Sequence, residues 1–301
     1  MLVLRDVPAD RLADLRIAAV ERLAPRRVRT RFVDPDRARE QLEELVERTT
    51  ETSAWRDLVD GDDVLGWVWL APEGEEIVVY DVDLDDLGRA ADLLAAVVEH
   101  ARAEGARMIG LGVEPGDDVR AAIGSLPGFR LRATNMVLHL ERPIADPAPV
   151  TLERMSGDEY EVFMNGEVEG FANELASAGM DPERALERSR TMMADLLPSG
   201  IDSAGMEFDT ARVEGDAVGD LWLSTADTMA FVYNIEVRPE QRRRGYGAAI
   251  MNAAAIRSRD LGHPVLGLNV FAHNPNARAL YDKLGYEVTH DYLTFDVPDA
   301  G

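Results

Sequence analysis

Six consecutive residues, Arg242-Arg243-Arg244-Gly245-Tyr246-Gly247, combine charge and chain freedom in a way that suits an anion. They follow an apolar stretch ending near Val237 and open an amphipathic, helix-forming stretch. The first N–H groups of a helix lack internal partners and sit at the positive end of its dipole. Glycines at 245 and 247 let a diphosphate come close enough to take those N–H bonds, and the arginines add charge. A dinucleotide-binding fold would need a third glycine three residues on and an acid about 20 residues later. Ile250 and the pair Asn269-Val270 stand there instead, which excludes that fold. A solvated basic turn entering a helix is the other reading of the same residues.

The chain around this turn has 301 residues, enough for two ordinary domains, with 46% apolar and 29% charged residues. Its formal charge of −24 disfavours nucleic acid and anionic membranes as partners. There is no cysteine, so disulfides, thiolate metal sites and a cysteinyl-acyl intermediate are excluded. The five histidines show no ligand spacing, and no metal is expected. No apolar run reaches the length of a membrane span, and the N-terminus has no basic region followed by an apolar stretch. A cytoplasmic protein is expected.

The turn belongs to a unit that occurs twice. GARMIGLGV (105–113) resembles GHPVLGLNV (262–270), and GFR (128–130) resembles GYE (285–287), both at an offset of 157. The same offset sets Gly88-Arg89-Ala90 beneath Gly245-Tyr246-Gly247. VLGWVWL (64–70) and AVGDLWL (217–223) match at 153, so a few residues are inserted between the matching strands. Pro143, Pro147 and Pro149 mark an extended linker. The expected domains are 1–142 and 149–301, with residues 143–148 between them.

Each half reads in one order. A short strand (2–7; 150–154) leads into one or two helices, which in the second half cover 157–178 and 181–197. Two strands follow (55–60 and 64–70; 206–214 and 217–224), then an apolar strand (77–82; 230–237), a long helix (87–104; 245–261) and a further strand (108–113; 265–270). A shorter helix and a final strand pair close each half. The expected fold class is α/β, a mixed sheet with helices on both faces in each half.

IEVRPEQRRRGYGAAIM followed by LGLNVFAHNPNARALYDKLGYEVT resembles the acetyl-CoA-binding core of the GCN5-related N-acetyltransferase (GNAT) superfamily. Arg242, Gly245 and Gly247 meet its Arg/Gln-x-x-Gly-x-Gly/Ala fingerprint; Asn274, Tyr281, Leu284, Gly285 and Tyr286 meet its distal element. The tandem organisation resembles that of mycothiol synthase. The resemblance implies two tandem acyl-CoA N-acyltransferase domains and an acetyl group passed from acetyl-CoA directly to a primary amine of a small molecule or peptide. It also implies roles. Backbone groups of Ile235 and Val237 hold the pantetheine arm, and amides of Arg242, Arg243, Arg244, Gly245, Tyr246, Gly247 and Ala248 hold the pyrophosphate. Asn274 contacts the cofactor arm or caps its own helix, or does both. Tyr281 protonates the departing thiolate, and an N–H near Val237 stabilises the oxyanion.

The acceptor amine must lose a proton before attack. Strand alternation puts Asn234 and Glu236 on one face and Ile235 and Val237 on the other. Glu236 is the candidate general base, with a solvated edge carboxylate as its bland alternative. Glu167, Glu169 and Glu174 either bind a cationic acceptor or form a wet helix face.

At the offset of 157 the first half has Asp85, Asp86 and Leu87 for the three arginines, Asp117 for Asn274 and Gly124 for Tyr281. It is expected neither to catalyse nor to bind the cofactor strongly. The basic run 22–31 is either a solvated helix end or part of a shared site. A monomer is favoured, since two sheets in one chain can mimic a dimer. The alternative function is a non-catalytic acyl-CoA-binding or regulatory protein.

Overall fold

The computed structural model describes residues 2–177 and 180–298, so the last residue of the helix expected over 157–178 lies outside the described residues. The chain forms two compact units. One comprises Met1–Met136, Asn269–Arg278 and Glu287–Gly301, the other Val137–Leu268 and Ala279–Tyr286. Among the described residues no helix is long and apolar enough to cross a membrane.

The first unit contains β1 (Val3–Asp6), α1 (Ala9–Arg31), α2 (Pro35–Arg48), β2 (Ala54–Asp60), β3 (Asp63–Glu73) and β4 (Glu76–Leu84). A 3₁₀ turn at Leu87–Arg89 leads into α3 (Ala90–Ala103), followed by β5 (Met108–Val113), α4 (Asp118–Gly124) and β6 (Phe129–His139). Strand β12 (Glu287–Asp296) completes it, in the order β1-β2-β3-β4-β5-β12-β6. Leu93 and Val97 of α3 and Ile123 of α4 pack with Leu70, Ile77 and Ile109 on one face. Leu15 and Ala19 of α1 cover Trp55, Trp67 and Trp69 on the other.

The second unit contains β7 (Thr151–Arg154), α5 (Gly157–Ser177), α6 (Pro182–Leu196), β8 (Met206–Val213), β9 (Asp216–Ser224) and β10 (Ala230–Val237). Then come α7 (Tyr246–Asp260), β11 (Val265–Phe271) and α8 (Pro275–Leu284), with strands ordered β11-β10-β9-β8-β7; residues 269–271 of β11 and 275–278 of α8 belong to the first unit. Tyr160 and Phe163 of α5 pack on Phe208 and Trp222. The opposite face carries α7, whose Ile250 lies 3.0 Å from where a side chain on Gly219 would begin.

The strand registers establish the duplication residue by residue. Gly66↔Leu84, Val68↔Val82 and Trp69↔Asp81 in one unit match Gly219↔Val237, Leu221↔Ile235 and Trp222↔Asn234 in the other, all at 153. Both registers shift at one place, which leaves Tyr80 and Tyr233 as the bulged residues. Each bulged ring stacks on the matching tryptophan: Trp69–Tyr80 at 4.8 Å and Trp222–Tyr233 at 4.7 Å. The glycines match too, because a Cβ at 66 or 219 would stand 2.0 or 2.3 Å from the facing carbonyl oxygen. From Gly88 and Gly245 onward the offset is 157, so four extra residues lie in the second unit's turn after β10.

Two features differ from the sequence reading. A single long strand, β6 or β12, stands where a final strand pair was expected. In addition, the compact units are not the consecutive pieces 1–142 and 149–301. Strand β12, expected at the end of the second half, pairs antiparallel with β5, from Asp291↔Val113 to Asp296↔Met108. Residues 137–139 of β6 belong to the second unit, where Leu140 N–H donates to the Pro264 carbonyl at 3.0 Å. Alternating hydrophobicity states which face of a strand is buried but not which neighbour it pairs with.

Within the basic run of α1, Arg22 and Arg26 are paired, whereas Arg29 and Arg31 are exposed. Arg22 pairs with Asp81 (2.6 Å) and Asp83 (3.1 Å) and donates to the Val82 carbonyl (2.8 Å). Arg26 pairs with Asp117, which also binds buried Arg120 at 2.5 Å. Arg120 in turn donates to the Tyr80 carbonyl at 3.2 Å. Removing one member of such a network strands its partners in low dielectric. Arg120→Met is expected to lower unfolding free energy by about 3–5 kcal/mol in urea denaturation; an unchanged midpoint would show that the network carries no stability.

Candidate functional site

Strand β10 pairs in parallel with β11 over its first three residues, Ala230↔Leu266 to Val232↔Leu268. The bulge at Tyr233 then turns it away, and residues 234–237 keep pairing with β9 alone. This leaves Ile235 and Val237 on a strand with one unpaired side, where an extended ligand arm can add as a strand. Alternation holds beyond the bulge. Asn234 binds Glu167 of α5, whereas Val237 faces α7.

The turn after β10 is built to leave N–H groups open. A 3₁₀ turn at Pro239–Gln241 is followed by Arg243 at φ +67 and Gly245 at φ +88, both left-handed. A Cβ at position 245 would have nothing within 4 Å of it, so the backbone conformation rather than crowding requires glycine there. Gly245 is the N-cap of α7 and provides no side-chain hydrogen bond. Helices α2 and α6, by contrast, are closed by Asp34 and Asp181, whose carboxylates accept from Arg37 N–H and from Glu183 and Arg184 N–H. The N–H groups of Tyr246, Gly247 and Ala248 therefore head a helix whose cap residue does not satisfy them.

Of the three arginines, Arg242 does not point its charge into that turn. Its Nε donates to the Val237 carbonyl (3.0 Å) and its Nη2 pairs with Glu236 (3.3 Å). Arg243 and Arg244 are exposed. Gly247 ties the parts together: a Cβ there would stand 3.3 Å from Leu280 of α8 and 3.6 Å from Val237 of β10. The end of the strand, the helix start and the residue preceding Tyr281 thus meet at one small residue.

Tyr281 is buried, and burial pushes its hydroxyl pKa up, so it stays protonated at neutral pH. Its ring lies 5.6 Å from that of Tyr286. The Leu284-Gly285-Tyr286 element ends α8: Gly285 takes φ +86, Tyr286 N–H donates to the Tyr281 carbonyl and Gly285 N–H to that of Asp282. At the other end Asn274 accepts from Ala277 N–H at 3.2 Å, which is the capping role, and its amide nitrogen remains a donor. Both motif ends serve the helix that carries Tyr281.

On the α5 face of β10, Glu167 holds the Asn234 amide. Burial raises the Glu167 pKa and neighbouring Glu236 adds to the effect, against the hydrogen bond from Asn234. Asp220, opposite Glu236 across the strand pair, is raised by burial first and by Glu236 too, against Arg238. Glu236 itself is exposed and paired with Arg242. From the sequence, Glu167 stood between a wet helix face and a cation-binding role, and Asp220 was not singled out. The signal for Asp220 was its place one strand over, 16 residues before Glu236. Among the described residues no group of three or more His, Cys, Asp or Glu is placed to hold a metal ion.

The first unit presents the same parts closed. The Asp86 carboxylate accepts from Gly88 N–H at 2.9 Å and so caps the 3₁₀ turn Leu87–Arg89 that leads into α3, whose own N-cap, Arg89, gives no side-chain hydrogen bond. The bulged strand's carbonyls at Tyr80 and Val82 are held by Arg120 and Arg22. A side chain on Gly124, which stands where Tyr281 does, would begin 2.5 Å from Leu293.

The model of the acetyltransferase (GNAT) family matches residues 175–286. The chain is 34% identical over 147 residues to the uncharacterized N-acetyltransferase YdgE of Bacillus subtilis, covering 46% of this chain and 93% of that protein. It is 26% identical over 246 residues to the mycothiol acetyltransferase of Acidimicrobium ferrooxidans, covering 77% of this chain and 78% of that one. The GCN5-related N-acetyltransferase structure from Sphaerobacter thermophilus matches with a TM-score of 0.56 at 16% identity, over all of this chain and 96% of that one, a likeness of fold. The chain therefore belongs to the acetyltransferase (GNAT) family and is an N-acetyltransferase built from two tandem domains of that fold.

Proposed function

We propose that the repeat over 149–301 carries the working site and transfers acetyl from acetyl-CoA directly to a primary amine of a small molecule. The observation that carries this is the α7 start without a side-chain cap, beside a strand with one open side and packed through Gly247 on the helix of Tyr281. Amides of residues 243–248 hold the diphosphate, with Arg243 and Arg244 adding charge; the Arg242 amide, expected to join them, donates to the Pro239 carbonyl instead. Backbone groups of Ile235 and Val237 hold the pantetheine arm, and the Asn274 amide contacts it. For the arm to use the Val237 carbonyl, Arg242 must release it.

Acetyl-CoA supplies a thioester whose carbon accepts the amine. Glu236 takes the amine proton, and buried Glu167, bonded to Asn234 beside it, is the second carboxylate able to do so. Asp220 adds negative charge for a cationic acceptor. A backbone N–H near Val237 stabilises the oxyanion, and Tyr281 gives its proton to the departing thiolate. The mycothiol acetyltransferases among the relatives favour an amino-acid-bearing or aminosugar acceptor. The reading takes the protein as a cytoplasmic monomer with acetyl-CoA and the amine as its partners.

Tyr281→Phe is expected to lower kcat about 10²–10⁴-fold in a thiol-release assay across small amines, with the KM for acetyl-CoA held. A full rate removes the acid assignment. Gly245→Val, which forces a branched residue to φ +88, is expected to raise the KM for acetyl-CoA, whereas Asp85→Arg in the other repeat leaves kinetics unchanged.

The raised Glu167 pKa has a consequence for stability. The folded chain keeps the Glu167 proton above the ordinary carboxylate range, where the unfolded chain has lost it, so this group makes stability fall as pH rises through that window. Glu167→Gln is expected to flatten that fall in thermal melts from pH 4 to 8 while slowing turnover. A variant melting with the parent's pH slope contradicts the buried-carboxylate assignment.

A further inference from the structure

The first unit encloses a cavity of about 330 Å³ under α1 and α2, against β4, β5 and β12. Two buried polar atoms of opposite character belong to its lining side chains and have no partner. Glu114 places Oε1 3.4 Å from His290 Nδ1, but its Oε2 is buried without a hydrogen bond. Arg120 is engaged through Nε and Nη1, but its Nη2 is buried and stands 4.0 Å from the nearest carboxylate oxygen of Asp81. A buried acceptor and a buried donor left unpaired each cost free energy that a ligand can restore.

The α1 wall adds a charge imbalance. Arg27 donates to the neutral side chain of Gln41 at 2.8 Å, and Arg31, one turn on, lines the same cavity. Among the described residues neither has a carboxylate within ion-pair distance. Burial first, then Arg31, holds the Arg27 pKa below the usual arginine range, against the charge of Glu114. Leu23, Leu42 and Leu45 supply an apolar wall.

A coenzyme does not suit this place. Asp86 caps the 3₁₀ turn that leads into α3, and the Val82 and Tyr80 carbonyls of the bulged strand are held by Arg22 and Arg120. The lining asks instead for a small molecule with a carboxylate, an N–H donor and an aliphatic body. We infer that this cavity binds an α-amino acid with an apolar side chain, its carboxylate on the Arg27–Arg31 pair, its ammonium on Glu114 and its side chain against the α1–α2 leucines. The inference stands apart from acetyl transfer: it assigns this unit a binding role and no reaction.

The test is calorimetry on the full chain with L-leucine, using 3-methylbutylamine and 4-methylpentanoate as analogues that each lack one charged pole. The expected result is one saturable L-leucine site per chain, with each analogue at least about tenfold weaker. Arg27→Leu and Glu114→Gln should each weaken L-leucine by about tenfold or more and leave acetyl-CoA affinity unchanged. Thermal melts establish that each variant is folded, and Glu114→Gln decides the matter if Arg27→Leu is not. Absence of saturable L-leucine heat overturns the inference. So does binding that survives Glu114→Gln, or binding lost in Glu167→Gln, which would put the amino acid at the transfer site.

Discussion

The first turn of α7 begins with backbone N–H groups that its own cap residue, Gly245, does not satisfy, and the second unit is arranged around that deficit. Using glycine instead of an aspartate cap costs about a few tenths of a kcal/mol of helix stability. An anion at a helix start regains about 0.3–1 kcal/mol, and more where it is partly buried. The exchange favours a chain that binds a diphosphate there. The four-residue extension after β10, the left-handed residues Arg243 and Gly245, and the tight packing at Gly247 all keep this turn open and fix it against the Tyr281 helix.

The first unit puts the same architecture to the opposite use. Its bulged strand has the same register as β10 down to the stacked tyrosine, yet several of its counterpart groups are satisfied from within. Asp86 caps the 3₁₀ turn that leads into α3, arginines from α1 and α4 hold the Val82 and Tyr80 carbonyls, and Leu293 fills the space beside Gly124. A buried ion network of this kind is weak evidence for net stability, because desolvation offsets much of its attraction. What it does here is geometric. It closes one cleft and leaves a separate cavity with unmatched charges.

Much of this was legible in the sequence, for a physical reason. Glycines at 245 and 247, the strand before them and the helix after them are local signals, as are the repeat offsets and the alternation that sets Asn234 and Glu236 on one face. The parts that escaped depend on distant pairings. Arg22 meets Asp81 across 59 residues and Arg26 meets Asp117 across 91, so two arginines of a run that looks solvated are held by buried carboxylates. Arg242 reads as a phosphate ligand by position, but a nearby carbonyl and Glu236 hold its side chain. The partner of β12 could not be read, because an alternating strand pairs equally well with any edge that offers the right register.

The two turns that lead into α3 and α7 are unequal: Asp86 caps the first with its carboxylate, whereas Gly245 gives the second no side-chain bond. Titrating acetyl-CoA into the intact chain by isothermal calorimetry measures that inequality directly. The account predicts one site per chain; two equivalent sites, or no binding at all, would contradict it.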